Sequence, residues 1–159
     1  MTTKEHSLRV LRKLLGSQRL AVLATHRGGQ PHASLVGFAA SEDLKRIVFA
    51  TPKSTRKYAN LKADGRVAML IDSRSHRVSD FKKAAAVTVV GRIREVKRKK
   101  GSRFAELFLR KHRHLAEFVA SGATALMVVD VERYSVVTSF QDVAEIRMRG
   151  TRRPRTRGE

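Results

Sequence analysis

Apolar residues in this chain follow two periodicities that alternate along its length. Leu8, Leu11, Leu14 and Leu15 recur at helical spacing up to Gly16, and Thr2-Thr3-Lys4-Glu5 has the spacing of a capping box, so an amphipathic helix is predicted over residues 3–15. Residues 20–25 (LAVLAT) are then apolar on both faces, Arg27-Gly28-Gly29-Gln30 reads as a turn, and residues 32–40 (HASLVGFAA) return as the second arm of a hairpin. After Ser41-Glu42-Asp43 the chain turns into a third strand at 47–51, a helix running to about residue 63, and a fourth strand at 67–71 (VAMLI). The second half opens with a long β-rich run at 84–96, in which Gly91 marks a place for a bend. Phe104, Leu107, Phe108, Lys111, Leu115, Phe118 and Val119 follow helical spacing and fit one bent helix or two short ones. Two strands are expected at 124–131 and 134–140, with a turn at Glu132-Arg133 between them.

The segment with the most chemistry is Thr51-Pro52-Lys53-Ser54-Thr55-Arg56-Lys57-Tyr58-Ala59-Asn60-Leu61, which follows an apolar run and gathers hydroxyls and cations where a helix begins. Ser54 or Thr55 can serve as the N-cap, leaving the first amide N–H groups to point outward at the positive end of the helix dipole. Arg56 adds a planar fork suited to two phosphate oxygens and Lys57 a compact point charge, while Tyr58 and Leu61 anchor the helix to the core. Taken alone, the same residues also describe an ordinary solvated basic helix start.

The order LAVLAT, GGQPHASLVGFA, RIVFAT, STRKYANL and GRVAMLID resembles the FMN-binding split-barrel family related to pyridoxamine 5′-phosphate oxidase, over roughly residues 8–96. FLRKHRHLAEF and MVVDVERYSVVTSFQDVAEI are similar to the haem-utilisation branch of that superfamily. The resemblance implies a mainly β protein with flanking helices, a split β-barrel, and a homodimer with FMN at the subunit interface. It further implies that the flavin ring lies against Ser34, Leu35 and Val36 on the strand begun by His32, with Ala50 and Thr51 contributing from the next strand. Ser54, Thr55, Arg56 and Lys57 would hold the phosphate, Asn60 would stand close by, either in cofactor contact or in a helix-to-loop hydrogen bond, and Ala86 would come from the partner subunit. Chemistry on a small-molecule substrate would then belong to the flavin, with the protein supplying binding and orientation.

Departures from the family pattern narrow the function. Ser34 stands where the pyridoxamine phosphate oxidases carry Arg, Ala86 stands where their partner subunit offers Gln, and their C-terminal Arg and His pair is not recognisable, so pyridoxamine phosphate oxidation is disfavoured. The haem-utilisation enzymes end in a His-containing extension, whereas this chain ends in Arg-rich sequence, which argues against haem cleavage. The leading expectation is an FMN-dependent oxidoreductase. A deazaflavin-dependent reductase, a flavin-binding protein without turnover, and a basic nucleic-acid-binding protein on the same scaffold are the alternatives.

Composition bounds these readings. The 159 residues suit a single domain over residues 1–148 followed by a basic tail, 149–159, expected to be disordered. There is no cysteine, signal peptide or long apolar run, so a soluble cytoplasmic protein without membrane contact is expected. A formal net charge of +20 and a pI near 11.5 attract polyanions at low salt. Lys97-Arg98-Lys99-Lys100 and the Arg-rich tail lack the interleaved aromatics of a stacking platform, so nucleic-acid contact is expected to be weak and non-specific. Metal binding is not expected: His112 and His114, two apart on a helix, would point away from each other, and no further ligand completes a set. His26 reads as a surface residue, and no G-x-S-x-G elbow occurs.

Overall fold

A computed structural model describes residues 1–139 and 142–150. The first helix, α1 (Thr3–Ser17), starts on the expected capping box: Glu5 N donates to the Thr2 hydroxyl at 3.2 Å, and Thr2 N donates to the Glu5 carboxylate at 2.7 Å. Its Leu11, Leu14 and Leu15 are buried against the strands that follow. β1 (Leu20–Arg27) and β2 (Gln30–Ala40) form the hairpin, joined by Gly28 and Gly29, both at positive φ, between the paired Arg27 and Gln30. There follow β3 (Arg46–Pro52), α2 (Arg56–Ala63), β4 (Arg66–Asp72), a single turn α3 (Asp80–Lys83) and β5 (Ala85–Glu95). α4 (Arg103–Lys111), a 3-10 turn (Arg113–Leu115) and α5 (Ala116–Ala120) lead into β6 (Thr124–Thr138) and β7 (Asp142–Arg147).

The strands pair antiparallel in the order β3-β2-β1-β4-β5-β6, and β3 also pairs with β6, which closes a six-stranded barrel; β7 extends the sheet beyond β6. This is the mainly β split barrel with flanking helices that the sequence predicted. Leu23, Phe38, Ile47, Phe49, Met69, Ile71, Val87, Val89 and Tyr134 fill its interior. A second apolar cluster lies outside the barrel, where Ala105 and Phe108 of α4 and Val119 of α5 cover Val48 of β3 with Leu126 and Val128 of β6. That cover suits the sequence of β3, in which Ile47, Val48 and Phe49 are apolar in succession.

Three features depart from the sequence reading. The turn expected at Glu132-Arg133 is absent, and β6 runs through it as one strand of 15 residues. Val131 pairs with Gly91 and Arg133 with Val90, so Glu132 is the extra residue of a β-bulge rather than a turn. Gly91 permits the kink, since a Cβ there would run into Asp130 O. β7 and α3 also form where no element was expected, α3 around an acid that caps its own loop. Phe140, the expected end of the strand over 134–140, and residues 151–159 of the expected tail lie outside the described residues.

Tyr134 ties the two ends of the barrel interior to its connecting turn. The ring is fully buried, and its hydroxyl donates to Leu44 O at 2.5 Å. Leu44 holds a left-handed backbone (φ 64°) in the β2–β3 turn while its side chain is buried, so the tyrosine fixes a strained corner. Replacing Tyr134 by Phe leaves that carbonyl unpaired in the interior and should lower unfolding stability by about 1–3 kcal/mol. Urea denaturation checks this, with a lower midpoint at unchanged slope as the expected result.

Candidate functional site

α2 begins at Thr55, whose side chain accepts from Tyr58 N at 3.3 Å. The same hydroxyl donates to Pro52 O at 2.9 Å and lies 3.1 Å from the buried Thr51 hydroxyl, so both threonines hold the shape of the loop. Thr55 is therefore a cap, and the groups left to face a ligand are the backbone amides of the first turn with Ser54, Arg56 and Lys57. Ser54 and Arg56 are exposed and Lys57 is half-buried; neither cation forms an ion pair among the described residues.

Charge makes this helix start unusual. α1, α3, α4 and α5 each carry an acid in the first turn (Glu5, Asp80, Glu106 and Glu117), whereas α2 carries none. Two cations stacked on the positive end of a helix dipole are unfavourable for folding, and an anion at that point reverses the sign of the interaction. The helix is nonetheless held rigidly. Leu61 is buried, Asn60 Nδ2 donates to Thr25 Oγ1 of β1 at 3.1 Å, and the Tyr58 hydroxyl donates to Glu95 of β5 at 2.6 Å, which raises the phenol's pKa. Asn60, expected near the cofactor, thus turns its carboxamide inward and anchors α2 to the barrel.

Strand pairing creates a split beside this helix. β2 pairs with β3 only from Phe38 to Ala40, against Phe49 to Ile47, although β3 continues to Pro52 along β6. Continued register would set Val36 opposite Thr51; instead the two strands part there, with α2 starting at the end of β3. Phe38 N donates to Arg19 O at 3.2 Å, and antiparallel alternation then aims the N–H and C=O groups of even-numbered β2 residues at β1. The odd-numbered residues Ala33 and Leu35 consequently present theirs to the split. Ser34 and Val36 point their side chains inward, and Ser34 Oγ is buried with no hydrogen-bond partner among the described residues. His32 is half-buried near the hairpin end of the same strand.

Ser34, Leu35 and Val36 thus lie on the stretch of β2 past its last pair with β3, while Ala50 and Thr51 lie on the stretch of β3 that leads into α2. The Ala50 side chain turns the other way and packs on the outer cluster under α4. Ala86 lies elsewhere, on β5 between Asp72 and Val137, on the outer face of the barrel. That face carries a row of apolar side chains: Leu35 pairs with Val22 and Val22 with Leu70, and Leu20, Leu35 and Leu70 are 59%, 65% and 38% exposed. A cavity of about 1,110 Å³ lies away from the split, between α4 and α5.

His112 secures β2 on its β1 side, away from the split, and was not recognised as doing so. α4 ends at this residue, which leaves the helical conformation (φ −125°, ψ 58°), so its ring lies 6.2 Å from that of His114 instead of pointing away from it. Buried and stacked on Phe108, its Nε2 is 2.8 Å from Phe38 O, and because a carbonyl only accepts, Nε2 carries the proton. Desolvation lowers its pKa and favours this neutral form. The only sequence signal was a histidine at the end of an amphipathic helix. His26, read as a surface residue, pairs with Asp64 at 3.0 Å.

A family model described as pyridoxamine 5′-phosphate oxidase matches residues 8–138. Among solved structures, the chain is similar to a haem-binding protein from Mycobacterium smegmatis, with a TM-score of 0.77, 18% identity, and coverage of 89% of this chain and 57% of that one. It thus spans less than two thirds of that relative. It is also similar to the haem storage protein HutZ from Vibrio cholerae, with a TM-score of 0.65, 14% identity, and coverage of 82% and 92%. A third likeness is to an FAD-binding protein from Mesorhizobium loti, with a TM-score of 0.64, 19% identity, and coverage of 81% and 90%. At these identities the likenesses show a shared fold. No curated protein matches the sequence.

The charge imbalance at α2 has a measurable signature. In ligand-free protein, Arg56→Glu should raise unfolding stability by about 0.5–1 kcal/mol at low ionic strength, because it replaces repulsion from the dipole by attraction. The gain should shrink in high salt. Paired urea titrations at two salt concentrations provide the check.

Proposed function

Since the chain belongs to the pyridoxamine 5′-phosphate oxidase family, we propose that it is an FMN-dependent oxidoreductase that acts on a small molecule as a homodimer. The observation that carries this reading is the meeting of an unpaired β2 edge with a helix start that carries only cations. An amphipathic ligand with a flat polar-edged ring and a phosphate satisfies both at once.

In this reading the amides of the first turn of α2, the Arg56 fork and the Lys57 ammonium hold the phosphate, with Ser54 at the rim. Thr55 and Asn60 act on the phosphate indirectly, by fixing where the helix starts. Backbone groups of Leu35 line the ring's polar edge, and the buried, unpartnered Ser34 hydroxyl supplies a further hydrogen bond. Bound FMN supplies the electron and hydride chemistry; the protein binds, orients and excludes water. Ser34, Leu35 and Val36 contribute no titrating group, so no acid or base is assigned among them.

The exposed row of Leu20, Leu35 and Leu70 supports a second copy as its cover, since soluble monomers rarely expose continuous apolar faces of this kind. Ala86 shares that outer face, as a residue offered to the partner's site would. No helix among the described residues is long and apolar enough to cross a membrane.

The visible absorption spectrum of the purified protein tests the class of cofactor, because oxidised flavin, deazaflavin and haem differ in it. Arg56→Ala should cost roughly 1.5–3 kcal/mol of FMN binding, about ten- to a hundredfold in affinity, while riboflavin, which has no phosphate, should bind as before. Lys57→Ala should show a milder loss with the same selectivity. Calorimetric titration of both ligands decides the matter: equal FMN affinity in Arg56→Ala and unmodified protein removes the phosphate site. Light scattering that gives a monomer mass at micromolar concentration removes the interface.

A further inference from the structure

Away from the split, a cavity of about 650 Å³ lies between the end of α1, the last residues of β2 and one face of α4, a volume typical of small-ligand sites. Helical spacing places Arg103, Leu107, Arg110 and Lys111 along that face of α4, with Phe104 as an aromatic wall. Exposed cations on a helix are ordinarily just solvated, and here the difference lies in Lys111. Its half-buried Nζ donates to Leu15 O at 2.9 Å and sits 4.0 Å from the Phe38 ring centroid, yet no carboxylate among the described residues pairs with it. Arg19 beside it is a further cation, and His112, neutral here, offers no negative charge.

The acids on the opposite wall do not compensate. Asp43 is engaged by the Ser41 hydroxyl at 2.7 Å and Lys45 N at 3.0 Å, and Arg46 is engaged by Asp130 at 2.7 Å. Glu42 remains as a rim carboxylate. Burial, reinforced by Arg19, pushes the Lys111 amine down to about 8. A half-buried ammonium without a counter-ion is a standing cost, which an incoming anion would remove.

The geometry points to a second ligand site in this cavity for a small organic anion, a carboxylate or phosphate on a flat apolar body, held by Arg103, Arg110 and Lys111 against Phe104 and Leu107. It is independent of the flavin reading, because no residue is shared with the split.

Phenyl phosphate is a suitable probe, titrated calorimetrically into the full-length protein beside inorganic phosphate and phenol. The aryl phosphate should bind at least about tenfold more tightly than either fragment, since each lacks one half of the recognition. Arg110→Ala, at an exposed position that leaves the fold intact, should weaken it by about the same factor, and Glu42→Gln should strengthen it by removing a repulsive rim charge. Between pH 7.5 and 9 affinity should fall as Lys111 loses its proton, and near pH 8 binding should take up a proton, seen as an enthalpy that depends on the buffer. Lys111→Met should abolish that proton uptake. Arg56→Ala should change none of this. Absence of binding at millimolar probe overturns the proposal, as does binding that survives Arg110→Ala and Lys111→Met but is lost in Arg56→Ala.

Discussion

Barrel closure is the constraint from which the rest of this molecule follows. β2 is committed to β1 over eight paired residues and β3 to β6 over seven, and the two commitments diverge after only three pairs shared between β2 and β3. A sheet of strongly twisted strands that closes on itself cannot keep every neighbour in register along its full length. The gap that results is flanked by backbone hydrogen-bonding groups rather than by side chains, which suits recognition of a ring with polar edges. His112 steadies β2 from its other side, donating to Phe38 O where that carbonyl faces β1.

The start of α2 holds an electrostatic arrangement that is unfavourable for folding. Anchors at Asn60, Leu61 and Tyr58 hold the helix in place from three sides, so its unfavourable concentration of positive charge is tolerated rather than relieved by fraying. Sites that hold a strained or electrostatically frustrated arrangement in a rigid frame are preorganised, and ligand binding recovers what folding gave up.

Much of this architecture was legible in the sequence because local rules governed it. The capping box at Thr2 and Glu5, the double-glycine hairpin and the hydroxyl before Arg56 each imply one conformation, and the structure has all three. What escaped was set by tertiary partners. Glu132-Arg133 has the polarity of a turn, but pairing with β5 on one side and β7 on the other carries the strand through it as a bulge. β7 itself is short and half polar, and gains its order from pairing with β6. His112 looked like half of a weak metal pair, since nothing local announces that its helix ends there or that a strand carbonyl waits 2.8 Å away. Asn60 was placed near the ligand by family likeness, and only the position of Thr25 shows that it faces inward.

A closed barrel has no edge strands, and the split gives one back. The first half of β2 offers the same backbone groups to any extended chain that it offers to a ligand, and such an edge can template intermolecular strand addition. Pro31 lies in the odd-numbered row that faces the gap, where its ring removes one N–H from that edge. Beside it the hairpin tip carries Arg27 and Gln30, polar and exposed. The edge thus stays open over Ala33 and Leu35 and is blunted, one residue pair further out, against another polypeptide.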